Sequence, residues 1–153
     1  MNSNERGGLV WNRFAARWAL GSALLAIGAC SSLPPAQPGT LPPGTAQVTI
    51  DNKDMPETHT VRCTSIESLT TIATGTAAAG VDALVSNKDA LNAKSVSIHG
   101  LGGFTGSYVE GLQGQAHATM RGQTYIIRGS ADGFRQNDPS ARTTGTFVIK
   151  VAC

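Results

Sequence analysis

Through residues 46–153, apolar and polar side chains alternate in short runs, the period expected when successive side chains project to opposite faces of a β-strand. In Thr146-Phe147-Val148-Ile149-Lys150-Val151, the residues Phe147, Ile149 and Val151 share one face, while Thr146, Val148 and Lys150 share the other. Similar runs occur at Val48-Thr49-Ile50, His59-Thr60-Val61-Arg62-Cys63, Leu69-Thr70-Thr71-Ile72, Val96-Ser97-Ile98, Tyr108-Val109, His117-Ala118-Thr119-Met120 and Tyr125-Ile126-Ile127-Arg128. Turn-forming residues separate them. Arg121-Gly122 reads as a hairpin turn, residues 100–106 as a glycine-rich turn, and Asp132-Gly133-Phe134 and Asp138-Pro139 as further turns. The pattern predicts a mainly β domain, an antiparallel sandwich or open barrel of about seven to nine short strands. Residues 76–85 fit two readings, a short helix or a strand with a bulge at Gly80; a strand over residues 81–85 is the favoured one.

The first 45 residues follow a different pattern. Arg6, Arg13 and Arg17 precede an apolar stretch over residues 18–29, too short for the roughly 20 apolar residues that a membrane span requires. That stretch ends in Ile27-Gly28-Ala29-Cys30, an aliphatic residue and two small ones before a cysteine. Small side chains beside the scissile bond mark a secretory cleavage site, and the cysteine marks it as a lipoprotein site. Residues 1–29 are therefore expected to be a lipoprotein signal peptide, with Cys30 as the lipid-bearing new N-terminus. Residues 31–45 hold five of the seven prolines and no charge, the composition of an extended tether, which is open to O-glycosylation at Ser or Thr or equally to remaining an unmodified linker. The expected organisation is a signal peptide (1–29), a lipidated cysteine with its tether (30–45) and one β-rich domain (46–153).

Removing the leader changes the charge. The chain has 12 Lys and Arg against 10 Asp and Glu, and nine of each follow Cys30, so the excess belongs to targeting. No basic patch interleaved with aromatics remains to suggest a nucleic-acid partner. The extracytoplasmic destination is oxidising, which predicts a Cys63 to Cys153 disulfide rather than two buried thiols. With Cys30 lipidated, no odd thiol is left over.

Catalytic patterns are weak. His59, His99 and His117 do not form a metal-binding spacing, and no nucleophile elbow accompanies His99-Gly100-Leu101-Gly102-Gly103. The same glycines match neither a phosphate loop nor a dinucleotide fingerprint. The expectation is a protein with no enzymatic activity, no cofactor and no metal.

Four segments in order, Val48-Thr49-Ile50-Asp51-Asn52-Lys53-Asp54, Val61-Arg62-Cys63-Thr64, Tyr125-Ile126-Ile127-Arg128-Gly129-Ser130-Ala131 and Phe147-Val148-Ile149-Lys150-Val151-Ala152-Cys153, carry a resemblance. Together with the cysteine positions, the domain resembles the mycobacterial 19-kDa lipoprotein antigen family (LpqH type). The family's lipid-bearing cysteine maps to Cys30 and its paired cysteines to Cys63 and Cys153. The tether here is richer in proline and poorer in Ser and Thr than the family usually shows. The resemblance implies an envelope lipoprotein displayed on the surface, recognised by host Toll-like receptor 2 through its acyl chains and acting as an adhesin or as a carrier of a hydrophobic ligand, with no enzymatic activity. A carrier requires an apolar cavity of several hundred Å³ between the sheets, whereas a binding module requires a packed core and a polar outer surface.

Overall fold

The computed structural model describes residues 37–153. Alternation becomes ten strands: β1 (Ala46–Ile50), β2 (Lys53–Asp54), β3 (Val61–Ile66), β4 (Leu69–Gly75), β5 (Gly80–Ser86), β6 (Asn92–Leu101), β7 (Phe104–Val109), β8 (Gln115–Arg121), β9 (Thr124–Arg135) and β10 (Asp138–Ala152). Every pairing is antiparallel, in the order β2-β1-β10-β9-β7-β6-β5-β4-β3, with β8 added to β9 beside β7. The fold class read from the sequence is the one observed, with β2, only two residues long, adding to the expected number of strands.

The sheet rolls into an open barrel because its inner face is apolar from β1 to β4, with Val61 and Cys63 of β3 packed against its edge. Val48 and Ile50 of β1, Phe147 and Ile149 of β10, Val96 and Ile98 of β6 and Ile72 of β4 belong to a single cluster of side chains exposed by no more than 5%. A flat sheet would leave that face in water, at roughly 25 cal/mol for each Å² of apolar surface. The ends of the order are linked by the segment between β2 and β3, in which Thr58 pairs with Ala46 of β1 and the Thr60 hydroxyl accepts from the Gly75 N–H of β4. On the inner face, Gly106 and Gly145 leave room for the fully buried ring of Phe104; a Cβ at Gly145 would lie 2.9 Å from its Cζ.

Among the described residues there is no helix, and the strand favoured over residues 81–85 is observed as β5, whose Val81, Ala83 and Val85 alternate into the core. Other local readings are corrected. No bulge lies at Gly80, which closes a tight turn with Gly75. The irregularity falls instead opposite Leu84 and Val85, where β6 carries an extra residue that keeps both Ala93 and Val96 inward. Of residues 100–106, only Gly102 and Gly103 form the turn, both at positive φ. Asp132-Gly133-Phe134 lies within β9 and Asp138-Pro139 within β10, so neither is a turn. There the partner strand overrides local turn chemistry: Gly133 pairs with Gly106 and Thr143, and Pro139 falls where the β9–β10 ladder shifts register and needs no donor. Residues 121 and 122 do mark the β8–β9 hairpin, whose two loop residues are Gly122 and Gln123.

Strand direction alternates along the order, which sorts the connections into two ends. The β1–β2, β4–β5, β6–β7 and β9–β10 turns share one end; the β3–β4, β5–β6 and β8–β9 turns and the C-terminus share the other. At the first end, Asp51 and Asn52 form a two-residue hairpin loop with both φ values positive. The Asp51 carboxylate clamps that turn to its neighbours. Its Oδ1 accepts from the Thr146 N–H at 2.8 Å and from the Thr146 hydroxyl, while Oδ2 pairs with Arg135, whose guanidinium stacks over Phe104 at 5.3 Å.

Partial burial raises the Asp51 pKa, but the Thr146 and Arg135 hydrogen bonds outweigh it and hold the carboxyl below its ordinary value. A depressed folded-state pKa contributes stability that is complete above the unfolded pKa and is lost as pH falls through the folded one. Asp51→Asn should therefore lower stability at pH 7 by about 0.5–1 kcal/mol, after allowing for solvent screening of a partly exposed pair. Urea denaturation across pH 2–7 should also show a flatter loss of stability below about pH 4 in the variant.

Candidate functional site

Of the three cysteines singled out in the sequence, Cys30 lies outside the described residues. The other two meet. Cys63, midway along β3, is joined to Cys153, one residue past β10, with their Cα atoms 5.9 Å apart and 90 residues between them in sequence. The bond ties the last strand of the sheet order to one near its beginning, beside the Ala46–Thr58 bridge. Cross-linking so long a loop lowers the entropy of the unfolded chain, which stabilises the fold by about 4–5 kcal/mol.

The described part of the Pro-rich segment is bound to this same end of the barrel. Thr124 of β9 is fully buried, and its hydroxyl accepts the Leu41 N–H at 2.9 Å. Gly44 N–H donates to the Ala152 carbonyl and Ala152 N–H to the Thr45 carbonyl, which lines the segment along the end of β10. Arg121, at the β8–β9 turn, donates to the Pro38 carbonyl. Residues 38–45 thus leave the barrel beside the C-terminus and the β8–β9 turn.

At the other end, the outer face of β6, β7 and β9 and the start of β10 enclose an open groove of about 520 Å³. Its walls are polar: Ser97 and His99 from β6, Thr105 and Ser107 from β7, Asp132 from β9 and Arg142 from β10. Period-two geometry explains the set, because these positions alternate with the buried Ile98, Phe104 and Ala131. Asp132 Oδ1 accepts from the Thr144 hydroxyl, Gln113 donates to Ser107, and His99 Nε2 lies 3.5 Å from Asp82 Oδ2. Phe134, 38% exposed, adds an apolar face at the rim. The arrangement offers charged and neutral hydrogen-bonding groups on a rigid sheet.

A second opening is smaller and mainly apolar. About 220 Å³ lies beside residues 55–58, lined by Val48, Met55, Pro56, Leu101 and Thr74. The buried Thr74 hydroxyl has no hydrogen-bond partner among the described residues. Pockets that enclose a drug-sized ligand typically span 300–1,000 Å³, so this one falls short.

Of the histidines, His59 contacts the Thr45 hydroxyl and lies 3.8 Å from Glu57, His117 lies on β8, and His99 borders the groove. Among the described residues, no group of three or more His, Cys, Asp or Glu gathers to hold a metal ion. Sequence reasoning missed Asp132 and Arg142 as groove residues and Asp51 as a clamp. Only Asp51 carried a local signal, the Asp-Asn pair between two strand residues.

A profile described as Mycobacterium 19 kDa lipoprotein antigen matches residues 39–153. A putative lipoprotein of Mycobacterium avium subsp. hominissuis is 36% identical over 143 residues, 93% of this chain and 96% of its own. Another, from Mycobacterium indicus pranii, is 34% identical over 143 residues, 93% and 99% of the two chains. Lipoprotein LpqH of Mycobacterium tuberculosis is 36% identical over 115 residues, 72% of each chain.

Replacing both Cys63 and Cys153 by Ser should cost about 2–5 kcal/mol. Chemical denaturation under non-reducing conditions measures it; an unchanged midpoint would show that the bond contributes nothing to closure.

Proposed function

Since this chain belongs to the Mycobacterium 19 kDa lipoprotein antigen family, a family of cell-envelope lipoproteins, we propose that it is anchored by acyl chains on Cys30 to the extracytoplasmic face of a membrane and displays its barrel as a binding, adhesin-like module. Residues 1–29 serve as the signal peptide. One acyl chain binds a bilayer only marginally, at about 0.8 kcal/mol per buried methylene, so stable anchoring calls for the several chains of a processed lipoprotein. Those chains are also the part that host Toll-like receptor 2 would recognise, largely independently of the barrel.

The observation that carries the binding reading is the contrast between the inside and the outside of the barrel. The core is filled by one continuous apolar cluster, and the larger recess is the polar groove on the outer face. That groove presents Asp132, Arg142, Ser107 and His99, but Ser107 is hydrogen-bonded to Gln113 and not to His99, so its hydroxyl is not paired with a base as hydrolysis requires, which supports a binding rather than an enzymatic role. The carrier reading rests on the mainly apolar 220 Å³ opening and its unpartnered Thr74 hydroxyl. That volume holds a fragment of a lipid tail, not a whole lipid.

Two experiments test the proposal. Metabolic labelling with palmitate should mark the wild-type protein and leave Cys30→Ala unlabelled; persistent label in the variant would refute the anchor site. For the barrel, beads coated with the domain should adhere to host-cell monolayers, and Asp132→Ala with Arg142→Ala should reduce adhesion about tenfold through lost charged hydrogen bonds. Unchanged adhesion, with a lipid retained in native mass spectrometry, would move the assignment to the carrier.

A further inference from the structure

The large apolar side chains left exposed among the described residues are unevenly placed. Ile66, 70% exposed, and Leu69, 42% exposed, flank the β3–β4 turn, and Met120, 48% exposed, lies just before the β8–β9 turn. Leu112 lies in the β7–β8 connection and Phe134 beside the groove. The alternation of strand directions puts the β3–β4 and β8–β9 turns at one end of the barrel. Residues 38–41 dock on the β8–β9 hairpin, so the chain leaves toward Cys30 from this same end.

Resting on Cys30 as the lipid-bearing residue, we propose that this end of the barrel lies against the bilayer that holds the anchor, with Ile66, Leu69 and Met120 seated among the lipid headgroups. The length of chain outside the structure argues for this occupant. Gln37 is seven residues from Cys30, and a chain extends by at most about 3.5 Å per residue, so the exit point stays within roughly 25 Å of the anchor. The 12 residues of β9, which run from this end to the other, cover roughly 40 Å along the strand, or about 30 Å of height at the 35–45° tilt of a barrel strand. An inverted domain would hold the exit point farther from the bilayer than the anchor reaches, so the end nearest the bilayer is the one carrying three exposed apolar side chains. Isolated exposed apolar residues are ordinary on a soluble surface; three at the end tied to a lipid anchor have an apolar phase within reach. At this end Glu67, Lys88, Asp89 and Arg121, in or beside the β3–β4, β5–β6 and β8–β9 turns, offset one another. The contact is consequently apolar and should not depend on salt. It also holds the groove at the opposite end away from the lipid, open to a partner from outside.

The sequence provides a clean probe. Both tryptophans, Trp11 and Trp18, precede Cys30, so the processed protein has none. Full-length Ile66→Trp, Met120→Trp and Asn137→Trp proteins, purified after lipoprotein processing, would be reconstituted into phosphatidylcholine vesicles with a minority of phosphatidylglycerol and a headgroup-region doxyl lipid. Asn137 is in the β9–β10 turn, at the far end. Interfacial seating places the first two reporters within the headgroup layer, so their quenching should exceed that of Asn137→Trp about threefold, in low and high salt alike. Equal quenching in protein that floats with the vesicles overturns the proposal and leaves the anchor standing. Failure to float overturns the anchor and the proposal with it. Blue-shifted emission from Ile66→Trp that rises with protein concentration and ignores the lipid quencher assigns this face to a second copy of the chain, which also overturns it.

Discussion

A sheet with one apolar face must bring its two ends together, and the rest of this structure follows from how it does so. The order from β2 to β3 presents core side chains at nearly every strand, so the barrel has no inner water-facing stretch on which to open. The segment between β2 and β3 spans the gap, with Thr58 paired to Ala46 of β1 and Thr60 bonded to Gly75 of β4, and the Cys63–Cys153 bond links β3 to the end of β10 covalently. A disulfide here acts on a contact of high loop-closure entropy, the meeting of segments 90 residues apart. Forming this bond calls for an oxidising compartment, which agrees with the proposed extracytoplasmic anchor.

Closure also decides which surfaces remain for function. The inner face is consumed by packing, leaving a mainly apolar opening of about 220 Å³. The outer face keeps its polar alternates, and where β9 and β10 extend beyond the core they form the wall of the larger groove. The bonds from Leu41 and Gly44 to the barrel set where the chain departs, opposite the Asp51 clamp and the groove. With the proposed anchor at Cys30, that separation gives the molecule a membrane side and an outward side.

Much of the strand content was legible because alternation is local. Phe147, Ile149 and Val151 point inward as their spacing requires, and the β8–β9 hairpin falls at Gly122. Errors arose where a distant partner decides the outcome. Asp132-Gly133-Phe134 has turn composition, yet Gly133 lies between Gly106 and Thr143 in a continuous ladder. The groove was invisible for the same reason, since Ser97, Ser107, Asp132 and Arg142 come from four strands whose order no local pattern encodes. Cys63 and Cys153 were the exception, because a compartment inferred from the first 30 residues constrains them however the strands are arranged.

Intact mass analysis of the protein extracted from its native envelope tests the anchored, covalently closed barrel in one spectrum. The expected species begins at Cys30, carries acyl chains on that residue and gains the mass of two hydrogens on reduction, as Cys63 and Cys153 become free. A chain that retains residues 1–29, or one that begins at an unmodified Cys30 and takes up alkylating reagent at Cys63 before reduction, would contradict it.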